Sequence, residues 1–279
     1  MNWRELPPAG RPYAEVIGDP ISHSKSPDIH GFWLERLGID AAYRHAHVPA
    51  EDLEAYFDAR RKDPEWRGCN ATLPHKLAAL RLADRRSAGA EAVGAANCIM
   101  PAGDGALLSD NSDVGGFLEP LGRDNLVGKR AAVIGAGGAA RAVVYALANR
   151  GADRITVLNR TPAKARALVD ELAPGRGDAA GIDAGLVPAD LLVNASSLGM
   201  TGQAPLKLDL SPLLPGATVY DIVYAPLDTA LLQDARARGL VTIDGLSMLI
   251  GQARSAFSMF FGREPAMTDD KLLRQRLTA

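Results

Sequence analysis

Arg130-Ala131-Ala132-Val133-Ile134-Gly135-Ala136-Gly137-Gly138-Ala139-Ala140 is an apolar strand, a glycine-rich turn and the opening of a helix. The helix pattern continues to Arg150 and meets a stop at Gly151. The turn fits G-x-G-x-x-G/A, with Ala140 in the third small slot. Gly135 permits the tight bend, Gly137 lets main chain approach a pyrophosphate, and Ala140 lets the helix sit close on the sheet. Free N–H groups at the helix start then face the phosphate. A glycine turn alone would be structural. Its place between an apolar strand and a helix assigns Gly135, Ala136, Gly137, Gly138 and Ala139 to a dinucleotide cradle.

The next strand, Arg154 to Leu158, ends in Asn159-Arg160-Thr161, with Lys164 one turn later. NAD sites place Asp or Glu there, to accept from the ribose 2′-hydroxyl. Here the carboxylate is missing and two cations are present. A guanidinium suits a 2′-phosphate, so Asn159, Arg160, Thr161 and Lys164 are read as an NADP site. Thr161-Pro162 also reads as N-cap and N1 of a helix.

Further strands, Leu191–Asn194 and Thr218–Val223, each follow a helix-like segment. This alternation predicts a parallel sheet covered on both faces. Upstream, residues 13–115 also alternate: strand Tyr13–Gly18, a helix after Pro27 ending at Gly38, strand Ala42–Val48, helix Leu53–Arg61, and a short strand Gly68–Thr72. A final amphipathic helix, Ser247–Phe261, lies after the second set and is expected to return to the first. The expected fold is α/β with two lobes: a substrate lobe, 1–115, completed by 246–279, and a doubly wound Rossmann lobe, 116–245, with a deep cleft between them.

Composition excludes several classes. The chain has 279 residues, enough for two α/β lobes, and 47% hydrophobic residues. A formal charge of −2 gives no excess to neutralise nucleic acid. No apolar run approaches the roughly 20 residues of a bilayer span. Met1 to Pro7 has no apolar core of a secretory signal. Cys69 and Cys98 form no CxxC pair and are read as reduced thiols. A soluble cytoplasmic protein, monomer or homodimer, is expected. His45 and His47 would share one strand face, but a third ligand is not evident, so no metal is expected. Ser196-Ser197 ahead of Gly199 does not form a nucleophile elbow.

Polar residues cluster at strand ends of the first half. Ser24 and Ser26, just before a helix, could both donate to a carboxylate, and Ser26-Pro27 reads as N-cap and N1. The other clusters are Asn70 to Lys76, Ala96-Asn97-Cys98 and Asp110 to Asp113. Spacing alone does not join them into one site, and His75 could rim a site or face solvent.

These stretches resemble the shikimate dehydrogenase family. His23-Ser24-Lys25-Ser26-Pro27 is similar to its serine motif. Asn70 to Lys76 is similar to Asn-Val-Thr-x-Pro-x-Lys, with Ala71 for Val. Gly94 to Cys98 is similar to Gly-Ala-x-Asn-Thr, and Asn111 to Gly116 to Asn-Thr-Asp-x-x-Gly. Asn159-Arg160-Thr161, Asn194 to Met200, Tyr220 to Tyr224 and Asp244 to Leu249 continue the likeness. Cys98 and Ser112 each replace a Thr, and Gly31 stands where Asn commonly follows His30.

The resemblance implies reversible NADP-dependent reduction of 3-dehydroshikimate to shikimate, on the route to chorismate and aromatic amino acids. It implies that Lys76 and Asp113 are the catalytic pair and that Ser24 and Ser26 hold the substrate carboxylate. Thr72, Asn97, Tyr224 and Gln252 would contact the substrate, and Gly245 the cofactor. The residue types suit that chemistry. Ketone reduction leaves a developing alkoxide that needs a proton donor. A lysine donates well when desolvation lowers its pKa, and a neighbouring carboxylate limits that fall. Two other readings stay open: a quinate/shikimate dehydrogenase or a relative acting on another ring acid, and an NADPH-binding sensor without catalysis.

Overall fold

The computed structural model describes residues 1–123 and 126–278. The chain divides into two compact units, Met1–Ser112 with Gln252–Ala279, and Asp113–Gly251. The divisions fall at Ser112 and inside the last long helix, a few residues from the expected 115 and 246. The helix that opens at Asp113 packs on the glycine-turn helix and so joins the second unit.

The first unit contains β1 (Tyr13–Gly18), α1 (Ser26–Leu37), β2 (Ala42–His47), α2 (Leu53–Arg60), β3 (Trp66–Ala71), α3 (Lys76–Leu82), β4 (Arg85–Arg86), α4 (Ala88–Val93), β5 (Cys98–Pro101) and β6 (Leu107–Asp110). Its sheet runs β2-β1-β3-β5-β6-β4. β1 pairs in parallel with β2 and β3, as strand–helix–strand crossovers require. β5 is antiparallel to both β3 and β6, so this sheet is mixed and not wholly parallel. The β5–β6 reversal is local: Ala102 to Ala106 closes a hairpin through two main-chain hydrogen bonds, with positive φ at Gly103, Asp104 and Gly105. The start of α1 also differs from expectation. Lys25 is its N-cap, and Ser26 and Pro27 are its first two residues.

The second unit contains α5 (Asp113–Leu118), β7 (Arg130–Ile134), α6 (Gly138–Asn149), β8 (Arg154–Asn159), α7 (Pro162–Leu172), β9 (Gly177–Gly181), β10 (Leu191–Asn194), β11 (Thr218–Asp221), α8 (Ala230–Ala237), β12 (Val241–Ile243) and the first part of α9 (Gly245–Phe261). β11 stops two residues short of the expected Val223. Its sheet is wholly parallel in the order β12-β11-β10-β7-β8-β9. That is the doubly wound dinucleotide-binding order, with the switch point between β7 and β10. Alternate residues of one strand enter opposite cores. Ala131 and Val133 join the cluster with Val143 and Leu147, while Ala132 and Ile134 join the cluster with Leu192 and Leu231. Burial on both faces is why these strands read as unbroken apolar runs.

The rest of α9 and α10 (Asp270–Thr278) belong to the first unit. Phe257 packs edge-on to Trp33 of α1 and over the His30 ring. Among the described residues, no helix is long and apolar enough to cross a membrane.

Candidate active site

In the first unit the candidate residues lie at strand ends and helix starts. After β1 the chain turns so that Ser24 N donates to the Ile21 carbonyl. Ser24 Oγ donates to Ser26 Oγ at 3.2 Å and accepts from Ser26 N at 3.3 Å, which sets the two hydroxyls side by side. His45 Nε2 donates to the Ser24 carbonyl at 2.8 Å, and His47 Nε2 meets Asp19 Oδ1 at 2.8 Å. Both strand histidines are thus engaged in local structure.

β3 delivers Thr72 and Lys76. Thr72 N donates to the Ile17 carbonyl, and His75 N to the Thr72 carbonyl. His75 does not face solvent: it is buried, with Nε2 donating to the Val48 carbonyl at 2.7 Å. Burial lowers its pKa. That anchor fixes the first turn of α3, where half-buried Lys76 stands, and the Lys76 carbonyl accepts from Ala96 N.

Asn97, next to Ala96, is the hub of a buried frame. Its Nδ2 donates to Ser112 Oγ at 2.9 Å and Gln252 Oε1 at 3.3 Å, and its Oδ1 accepts from Ser112 N at 2.8 Å. Asn70 Nδ2 donates to the Asn97 carbonyl at 3.2 Å and to Cys98 Sγ at 3.3 Å, while Asn70 Oδ1 accepts from Tyr43 at 2.7 Å. Burial pushes the Tyr43 hydroxyl well up, which keeps it a donor. Cys98 Sγ lies 3.5 Å from both Asn97 Oδ1 and Ser112 Oγ, so a thiol fills the place of the usual hydroxyl. Asn70, Ser112 and Tyr43 are framework residues to which the sequence assigned no role. A polar residue inside an otherwise buried strand was the available signal for Asn70.

The second unit carries the other candidates. Gly135 has φ +109°, and a Cβ there would stand 2.9 Å from the Ala195 carbonyl oxygen across the switch point. Gly137 has extended backbone, open space around it, and no side-chain cap over the α6 N-terminus. Gly138 and Ala140 are buried, while Ala136 and Ala139 are half-buried. At the end of β8, Asn159 Nδ2 donates to the Thr161 carbonyl at 3.0 Å. Arg160, Thr161 and Lys164 are exposed, and Thr161 is the N-cap of α7 without a side-chain bond. Among the described residues neither cation has a carboxylate partner. An uncapped helix start, a glycine with open space and two unpaired cations fit a phosphorylated dinucleotide.

Asp113 opens α5 directly after Ser112 and is buried. Asp221, fully buried at the end of β11, accepts from Asn194 Nδ2 (2.9 Å), Val223 N (3.0 Å) and Thr229 Oγ1 (2.7 Å). Desolvation raises its pKa despite those three donors. The clamp fixes the loop that bears half-buried Tyr224. Gly245 faces that loop too: a Cβ would fall 2.3 Å from the Ile222 carbonyl oxygen. The expected residues therefore divide, with Ser24, Ser26, Thr72, Lys76, Asn97 and Gln252 in the first unit, and Asp113, Tyr224 and the cofactor set in the second.

Residues 16–99 match the family described as Shikimate dehydrogenase substrate binding domain, and residues 121–197 match Shikimate / quinate 5-dehydrogenase. A shikimate dehydrogenase (NADP(+)) of Sphingopyxis alaskensis is 54% identical over 272 residues, covering 98% of this chain and 99% of that protein. The chain belongs to the shikimate dehydrogenase family. Two solved members show how widely the family shares this backbone. The Thermus thermophilus shikimate 5-dehydrogenase in complex with NADP(H) and shikimate superposes with TM-score 0.83 at 36% identity, covering 95% of this chain and 99% of that one. The Corynebacterium glutamicum quinate dehydrogenase in complex with NAD superposes with TM-score 0.82 at 33% identity, covering 96% and 99%.

Proposed function

We propose that this chain is an NADP-dependent shikimate dehydrogenase, reversibly reducing 3-dehydroshikimate to shikimate in aromatic amino acid biosynthesis. What carries this reading is the end-to-end relation to NADP-linked shikimate dehydrogenases, and the presence of Lys76 and Asp113 in the sequence supports it. Bound NADPH supplies the hydride. The Ser24 and Ser26 hydroxyls donate to the substrate carboxylate. Thr72, Asn97, Tyr224 and Gln252 hold the ring hydroxyls. The Lys76 ammonium gives its proton to the oxygen that becomes an alcohol, and in the reverse direction its amine takes that proton back. Asp113 is the second member of the catalytic pair and accepts from a ring hydroxyl. Gly135 to Ala139 and Gly245 line the cofactor, and Arg160 with Lys164 neutralises the 2′-phosphate.

Every one of these groups comes from a single chain, so a monomer suffices and a homodimer is compatible. Both cysteines are free and buried, which fits a reducing cytoplasm. Steady-state rates with shikimate and quinate, each with NADP and NAD, test the assignment. The highest kcat/KM is expected for shikimate with NADP. Preference for quinate with NAD would make the chain a quinate enzyme. Tight NADPH binding without turnover on any ring acid would make it a sensor.

A further inference from the structure

Lys25 stands between Ser24 and Ser26, where an ammonium could be expected to meet the same carboxylate. It does not face that way. Its Nζ donates to the Leu277 carbonyl oxygen at 2.7 Å, 252 residues along the chain. That carbonyl lies in the last turn of α10, where main-chain acceptors lack helical partners and the helix dipole is negative.

α10 is itself tied down within the first unit. Leu273 and Leu277 are buried. Asp270 is held by buried Arg254 of α9, with Nη2 at 2.8 and 2.6 Å from its two oxygens. Arg36 of α1 reaches Asp269 at 2.9 Å, and Arg276 reaches Glu35 at 3.3 Å. The serine segment is thus gripped at two neighbouring residues, by His45 of β2 at the Ser24 carbonyl and by α10 at the Lys25 ammonium.

We propose that Lys25 is a positioning residue and that α10 is the latch through which it fixes the Ser24–Ser26 hydroxyl pair for a carboxylate. The inference rests on the assignment of those serines to the substrate carboxylate. The latch lowers the freedom of the segment before substrate arrives, so its loss weakens carboxylate binding and leaves hydride and proton transfer alone.

The test compares steady-state constants of the unaltered chain, Lys25→Met, Lys25→Arg, a chain lacking residues 277–279, and the deletion combined with Lys25→Met. Lys25→Met is expected to raise the shikimate KM about five- to tenfold, with kcat within about twofold and the NADP KM unmoved. The deletion, which also removes the buried Leu277 side chain, should raise the shikimate KM at least as much, and adding Lys25→Met to it should raise it no further, because the Lys25 contact is already gone. Lys25→Arg should restore most of the loss. A shikimate KM raised by Lys25→Met but unmoved by the deletion would overturn the latch, since Lys25 would then read the carboxylate itself. Equal rises in both KM values would reduce the contact to general stability and overturn it also. An unaltered chain without shikimate turnover would instead overturn the functional reading, and this inference with it.

Discussion

Arg160 stands where an acidic side chain would select the ribose 2′-hydroxyl, and it is exposed with no carboxylate partner among the described residues. A charge-assisted contact to a 2′-phosphate is worth ~1.5–3 kcal/mol, so Arg160→Ala should raise the NADP KM roughly 10- to 100-fold. The NAD KM should hardly change, and equal losses for both cofactors would remove the assignment. The sequence exposed this position because the fold fixes it: the end of the second Rossmann strand is found by counting from the glycine turn. Tyr43, Asn70 and Asp221 were not legible in the same way. Tyr43 meets Asn70 only because β2 and β3 flank β1, and Asp221 meets Asn194 only because β10 and β11 pair. Such partners are distant in the chain, and a single sequence contains no sign of their meeting. His75 was ambiguous for the same reason, since its acceptor, the Val48 carbonyl, is supplied by the end of another strand.

At the scale of elements, the glycine turn joins two kinds of glycine whose replacements should behave differently. Gly135 has positive φ and a backbone carbonyl close by, and Gly245 has main chain even closer. Gly135→Ala and Gly245→Ala should each cost about 2–3 kcal/mol in chemical unfolding. Gly137 has negative φ and empty space around it, so Gly137→Ala should leave stability within about 0.5 kcal/mol and raise the NADP KM. A Gly137→Ala variant as unstable as Gly135→Ala would show that all these glycines serve the fold alone. The main strands were legible where burial on both faces makes an apolar run, as in β7, β10 and β11. Other elements were not. β9, Gly177-Asp178-Ala179-Ala180-Gly181, has the wrong residues for a strand by propensity. It forms because β8 offers an edge, and Gly177 is required there because a Cβ would strike Val169 at 2.5 Å. α10 has only Leu273 and Leu277 as a buried stripe, too thin a pattern to stand out from a charged tail.

Across the whole molecule, the two units carry different physical loads. The second is a regular parallel sheet, while the first holds a mixed sheet and the buried aromatic and imidazole cluster around His30. His30 is fully buried, stacked on Tyr43 with ring centroids 3.8 Å apart, and among the described residues neither ring nitrogen has a hydrogen-bond partner. Desolvation pushes its pKa down to about 3. The unfolded imidazole titrates near 6.5, so below that pH the unfolded chain takes up a proton that the folded chain refuses. Stability from this group is complete above about pH 6.5 and falls as pH drops toward 3, by up to ~1.4 kcal/mol per pH unit. His75, whose pKa is also lowered, adds a slope of the same sign. His30→Phe should therefore flatten the decline between about pH 6.5 and 4.5 without abolishing it. Tryptophan fluorescence reads the relevant unit, since Trp3, Trp33 and Trp66 all lie in it. An unchanged slope in the variant would mean that His30 is protonated in the folded state. The mixed sheet also shows the limit of alternation as a guide to architecture, because a tight hairpin at Gly103-Asp104-Gly105 reversed one strand pair in an otherwise alternating lobe.

The catalytic role of Lys76 is the claim on which the functional account turns, and one variant addresses it. NADP-linked oxidation of shikimate by Lys76→Ala should fall by roughly 10²- to 10⁴-fold in kcat, the usual worth of a positioned acid–base group, while NADPH binding followed by its fluorescence stays within about twofold. Turnover close to that of the unaltered chain, with cofactor still bound, would contradict the account.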